Sequence, residues 1–254
     1  MNTQQSISKH DEIPPAMPRL AVLLTLVAAA GGALAAILIL PAWLPGVEAS
    51  MAGSAPQAFW FLSRSSALVA YLLLWLSMCL GLMITNKLAR LWPGGPVAFD
   101  LHQHTSLLGV AFALFHGLIL LGDRYLNPNL WQVVFPFGMS GYHPFWIGLG
   151  QISFYLMVGV AFSFYLRKQI TSRVWRSVHF LSFISFVFAL LHGIAGGTDS
   201  AAIWVQAFYW STGGIFLFLL IYRLLATAYK SLPSRPASLT YNFGEYNENH
   251  KNNR

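Results

Sequence analysis

The chain has 254 residues, 56% of them hydrophobic and 9% charged, with a net charge of +7. A soluble domain carries about 25% charged residues, so composition excludes an ordinary soluble enzyme and predicts a polytopic membrane protein. A lone cysteine, Cys79, excludes an internal disulfide framework, a Cys-x-x-Cys redox or zinc site, and cofactor attachment through Cys-x-x-Cys-His.

A helix crossing a bilayer needs about 20 mostly apolar residues, and six stretches meet that need. The first covers Leu20–Leu40. Its apolar run outlasts that of a secretory leader and ends at Pro41 and Pro45 rather than at a cleavage site, so it reads as a retained span. The second covers Ser65–Thr85, the third His102–Gly122, the fourth Phe145–Leu166, the fifth Trp175–Ala195 and the sixth Ile203–Tyr229. These runs are continuously apolar rather than alternating, which argues against strands. The expected fold is therefore an all-α membrane protein, a bundle of six transmembrane helices over residues 19–230. Residues 1–18 and 231–254 are polar and read as disordered flanking segments. The longest connection, Asp123–Pro144, is far smaller than a folded domain. No internal repeat is visible.

Lysine and arginine sort by side. Lys9, Arg19, Lys87, Arg90, Arg167, Lys168, Arg173, Arg176, Arg223, Lys230, Arg235, Lys251 and Arg254 fall on one side, and only Arg64 and Arg124 on the other. The positive-inside rule places the basic side, with both termini, in the cytoplasm. The pI of 9.7 is then a signal of topology in a cell (inner or plasma) membrane, with lipid as the partner and no role in binding nucleic acid.

Ionisable groups inside a span are costly and mark function. Four histidines lie in the third and fifth spans: His102, His116, His179 and His192. No Asp, Glu or Lys accompanies them there, so a carboxylate proton relay is missing. Neutral imidazole is a ligand for heme iron. His102 and His116 stand about 21 Å apart along a helix and return to nearly one face; His179 and His192 stand about 19.5 Å apart. The two spans run in the same direction. Pairing His102 with His179 and His116 with His192 therefore gives two sites stacked across a core about 30 Å thick. Two metal centres at those depths form an electron path. One feature of the spacing is irregular: His179 and His192 lie about 140° apart around an ideal helix, which predicts a bend or tilt near Ser182 and Ser185. The competing reading is that the four rings only hydrogen-bond to neighbouring helices.

His104 reads as a polar residue near the start of the third span, and His143 as a solvated loop residue. Gly109, Gly117, Gly193, Gly196 and Gly197 allow either close helix packing or room for flat porphyrin faces. Phe183 and Phe186 either fill the gap between two hemes or belong to the core. Arg64 and Arg124 are cations on the side otherwise poor in them, and Arg matches carboxylates bidentately. They are candidates to hold heme propionates or an anionic acceptor, as is Arg176, with Arg173, on the basic side.

The same residues carry a family likeness. The stretches Leu101-His102 to His116-Gly117, His179 to His192-Gly193, Trp175 to His179, Arg64 to Tyr71 and His192 to Asp199 make residues 60–228 resemble the ferric reductase-like transmembrane domain superfamily, which includes NADPH oxidases, ferric reductases and stand-alone bacterial members. The resemblance implies two bis-histidine b-type hemes stacked between helices 3 and 5, ligated by His102/His179 and His116/His192, as in a b-type cytochrome. It also implies a bacterial source and that the irregular spacing in the fifth span is tolerated. Two departures matter. Oxidases of the superfamily continue into a flavin- and nicotinamide-binding domain, whereas this chain ends about 25 residues after its last span. They also carry a further histidine four residues after the outer ligand of the third span, where this chain has Leu120. Superoxide production is therefore not expected, and FAD or FMN is expected only through a partner.

The expected function is transmembrane electron transfer, as an oxidoreductase component. The donor would be a cytoplasmic flavin reductase or a quinol, and the acceptor an extracytoplasmic ferric chelate or periplasmic reductase. Two alternatives stand beside it: a quinol-oxidising cytochrome subunit of a respiratory complex, and a histidine-using proton or metal transporter. The latter predicts broken helices, acidic partners or inverted repeats, and the sequence offers none.

Overall fold

The computed structural model describes residues 15–44, 46–47 and 58–231, with side chains described up to Tyr229. It contains six long helices: α1 (Arg19–Trp43), α2 (Ala58–Thr85), α3 (Gly95–Ile119), α4 (Pro144–Leu166), α5 (Ser172–Gly196) and α6 (Ile203–Ser231). All six are long and apolar enough to cross a membrane, and no strand occurs among the described residues. The expected flanking segments fall, apart from residues 15–18 and 231, outside the described residues.

Local chemistry accounts for the helix ends. Thr171 caps α5 by accepting from the Val174 N–H, and Pro residues occupy the first turns of α3 and α4, where a missing N–H costs nothing. Two helices begin nearly two turns earlier than the sequence reading placed them. In α2 the apolar run Phe59–Leu62 extends the helix backward, and Phe59 packs against Ala33 and Ile119. Arg64 therefore lies within the second turn of α2 rather than ahead of it. In α3 the start at Gly95 puts His102 and His104 inside the helix. A short helix, Leu130–Val134, interrupts the long connection, closed by reciprocal hydrogen bonds between Asn129 and Gln132.

The helices alternate in direction. At one end, the Arg19 guanidinium donates to the Tyr165 carbonyl, the Tyr165 hydroxyl donates to the Met17 carbonyl, and Arg223 donates to the Thr85 carbonyl. These bonds join the start of α1 to the end of α4, and the end of α2 to the last turns of α6. Lys87, Arg90, Arg167, Arg173 and Arg176 lie at this basic end. At the far end, Arg64 of α2 pairs with Asp199, and Tyr142 donates to the Gly196 carbonyl.

The core is built around α2, which supplies Tyr71, Leu74, Met78, Cys79 and Leu82 to the main buried cluster. Val110, Met157, Phe186, Phe216 and Leu219 complete it from α3 to α6. Phe186 is fully buried and stacks on Tyr71, so it is a core aromatic, with Phe183 packed beside it. Helix α5 runs unbroken through the expected bend. The Ser185 hydroxyl donates across to the Ser153 carbonyl of α4, and the Ser153 hydroxyl donates back to the Ser185 carbonyl. Ser185 thus ties two helices together.

Candidate functional site

Helix α3 packs on α1, α2 and α4, while α5 packs on α4, α2 and α6. Helices α3 and α5 face one another chiefly through imidazoles. His102 meets His179 with ring centres 6.0 Å apart, and His116 meets His192 at 6.2 Å. The pairing expected from depth is the pairing observed, and the ring planes cross at 70° and 61°. Two imidazole nitrogens that shared one metal ion at about 2.0–2.1 Å each would put their ring centres a little over 6 Å apart. The two pairs come within a few tenths of an ångström of that.

Three of the four rings are oriented by main-chain carbonyls. His102 Nδ1 lies 2.8 Å from the Ser77 carbonyl, His116 Nδ1 2.8 Å from the Ser63 carbonyl, and His192 Nδ1 3.0 Å from the Trp146 carbonyl. A carbonyl only accepts, so Nδ1 carries the proton in each ring and Nε2 keeps its lone pair. This is the tautomer and outer hydrogen bond of metal-ligating histidine. Hydroxyls reinforce the geometry. Ser63 donates to the His116 carbonyl, and Ser106 donates to the His102 carbonyl while touching Ser77 at 2.6 Å. The fourth ring, His179, is held by stacking on Trp175 one turn earlier, with centres 5.3 Å apart and planes 28° from parallel.

Sequence reasoning identified the four rings but missed their supports: Ser63, Ser77 and Ser106, the Trp146 carbonyl, and the glycines against the rings. A Cβ on Gly81 would meet His102 Cε1 at 3.3 Å, and one on Gly150 would meet His192 Cγ and Nδ1 at 2.7 Å. The glycines singled out from sequence divide by role. Gly109 packs against α2 and Gly193 against Tyr209. Gly117, Gly193, Gly196 and Gly197 line a cavity of about 260 Å³ beside the far-end pair.

That cavity is lined by His116 and His192 and reaches Arg64, Tyr142, Asp199 and Tyr209 at the far end. Arg64 is therefore where an anionic edge beside this pair would find a cation, and in the protein alone its partner is Asp199. Burial pushes the Tyr142 phenol above its ordinary pKa, and the neighbouring Arg64 charge offsets part of that. Arg124 is exposed on the connecting loop and is not part of the cavity lining; Arg176 is exposed at the basic end. His104 donates Nδ1–H to the Asp100 carbonyl of its own helix, as suits a polar residue in the first turns. His143 is exposed, edge-on to Tyr142.

Among the described residues, no group of three or more His, Cys, Asp or Glu gathers to hold a metal. Each histidine pair offers two nitrogens and no more. No family model, curated protein or solved structure matches the chain.

Proposed function

We propose that the protein carries electrons across a bacterial cell membrane through two b-type hemes, as a stand-alone relative of the ferric reductase-like transmembrane superfamily. His102 and His179 would hold the heme on the cytoplasmic side, and His116 and His192 the heme on the outer side. The donor is a cytoplasmic flavoprotein or a quinol, and the acceptor an extracytoplasmic ferric chelate or reductase.

One observation carries this reading: two facing pairs of imidazoles at 6.0 and 6.2 Å, three of the four rings tied at Nδ1 to a carbonyl. A two-nitrogen site suits an ion that brings its remaining ligands with it, and a porphyrin brings four. A heme held by each pair would supply one-electron chemistry. The protein's part would be to fix the tautomers, hold each ring facing its partner and shield the sites within the bundle. The carbonyls of Ser63, Ser77 and Trp146 do the first. The cavity walls shared with Tyr71, Met157 and Phe154 contribute to the last at the far-end pair. Arg64 supplies the positive charge beside the far-end pair.

The basic end supports the proposed sidedness. The exposed Arg173 and Arg176, with Arg90, form a surface for lipid headgroups or an acidic flavoprotein. The test is a dithionite-reduced minus oxidised absorption spectrum of the purified protein, with heme counted per chain. Two low-spin b-type hemes are expected. A preparation that takes up no heme during expression or reconstitution refutes the reading and returns the histidines to helix–helix hydrogen bonding.

A further inference from the structure

In all three rings tied to a carbonyl, the residue four places further along the acceptor helix is small. Gly81 follows Ser77, Ala67 follows Ser63 and Gly150 follows Trp146. The cause is geometric. A helix carbonyl already points at the N–H four residues on. Its second lone pair is open, but a donor reaches it only from beside that later residue, where a side chain would stand. The imidazole occupies that place instead.

The clearance differs between sites. At Gly81 a Cβ would approach His102 to 3.3 Å, a contact that a small shift relieves. At Gly150 it would lie 2.7 Å from both Cγ and Nδ1 of His192, well inside the 3.5–4.0 Å of a favourable contact. On the other side Gly196, one turn beyond His192 on α5, borders the same ring, and a Cβ there would lie 3.4 Å from Nδ1. The ring lies between two glycines and reaches the Trp146 carbonyl from there.

We propose that Gly150 is the positioning residue of the far-end site: its bare Cα sets the orientation of His192 and preserves the Nδ1–H bond that makes this imidazole a strong axial ligand. The proposal deepens the two-heme reading and rests on it. A methyl at position 150 turns or withdraws the ring, breaks the bond to Trp146 and shifts the ring relative to His116. Loss of that outer hydrogen bond also lowers the basicity of the ligand.

The test uses the full chain in detergent and compares Gly150→Ala with Gly159→Ala, on the same helix, where a Cβ would meet nothing within 4 Å. Heme per chain, the midpoint potential of each heme and the low-spin ferric EPR spectrum are measured. Gly159→Ala should match the unmodified protein. Gly150→Ala should fall from two hemes to one, or keep two with one potential and one EPR signal displaced and the other set unchanged. If Gly150→Ala does not accumulate in the membrane, Gly150→Ala/His192→Ala decides. With the ring gone, the double variant should accumulate and hold one heme as His192→Ala does. Failure of the double variant where His192→Ala succeeds overturns the proposal, as does a Gly150→Ala protein with unaltered heme count, potentials and spectrum. An unmodified protein that holds no heme overturns the two-heme reading and this assignment together, and is distinguished from the other outcomes before any variant is made.

Discussion

Removing the hydroxyls of Ser153 and Ser185 should loosen α4 from α5 by an amount the geometry sets. Each hydroxyl donates to the other residue's carbonyl, at 2.7 and 2.9 Å, and the two side chains are 4% and 0% exposed. Buried interhelical hydrogen bonds of this kind contribute about 0.6 kcal/mol on average and up to about 1.7 kcal/mol. Ser→Ala removes one oxygen and leaves almost no void. Each single variant should therefore lower the unfolding free energy by about 0.6–1.7 kcal/mol. The double variant carries a sharper expectation. Residues in contact usually couple, but here each bond ends on a main-chain atom that alanine retains. The two losses should add to within about 0.5 kcal/mol, as if the sites were independent. Unfolding of the purified protein in mixed detergent and dodecyl sulfate micelles, followed by circular dichroism, measures all four corners of the cycle. Coupling above about 1 kcal/mol would show that the direct hydroxyl–hydroxyl contact at 3.2 Å carries the energy instead. Singles that cost nothing would show that the clamp is incidental.

Three further outcomes follow from the site. His116→Leu and His192→Leu should each remove one heme and leave the other; four single histidine variants that all keep two hemes per chain would sink the ligand assignment. Arg64 and Asp199 are partly exposed, so solvent screens their pair and breaking it should cost under about 1 kcal/mol of stability. Its effect should appear in rate: Asp199→Asn frees the Arg64 charge and should speed reduction of an anionic ferric chelate, most clearly at low salt, while Arg64→Ala should slow it. Unchanged stopped-flow rates in both variants would make the pair purely structural. A reporter fused after Arg254 should be active in the cytoplasm; activity only outside would invert the sidedness drawn from the basic residues.

The histidine geometry was legible because it depends on helix rise and direction alone. Given parallel spans and matched depths, only one pairing is possible, and the rings meet as that pairing requires. Ser185 illustrates the opposite case. Read along its own helix it marks a place for a bend, but its hydroxyl's partner is a carbonyl on another helix, which no local rule identifies. The start of α2 was misplaced because Arg64 looked like a boundary. The buried Phe59 outweighs it, and the guanidinium reaches Asp199 from within the helix. Arg124 looked equivalent to Arg64 by sidedness, yet it is an exposed loop residue outside the cavity lining, and charge counting carries no information about that difference.

The supports of the rings were hidden for a different reason: the acceptors are backbone atoms, and every residue has one. A usable signal existed nonetheless. Helices α2 and α3 run antiparallel, so a step forward along one is a step back along the other. Two rings separated by fourteen residues on α3 must then meet α2 at two places separated by fourteen residues. Ser63 and Ser77 are so separated, and each is followed four residues later by a small residue, Ala67 and Gly81. The spacing of the ligands is thus written twice, once in histidines and once in the serine-to-small-residue pattern that receives them. Packing α2 against α3 therefore orients both rings in a single step, before any cofactor is considered. By this logic α2, which touches neither α5 ring through a carbonyl, is the helix on which the two α3 rings depend, and α4, through Trp146 and Gly150, does the same for His192 alone. His179, resting on Trp175 of its own helix, is the one ring whose orientation no neighbouring helix dictates through its main chain.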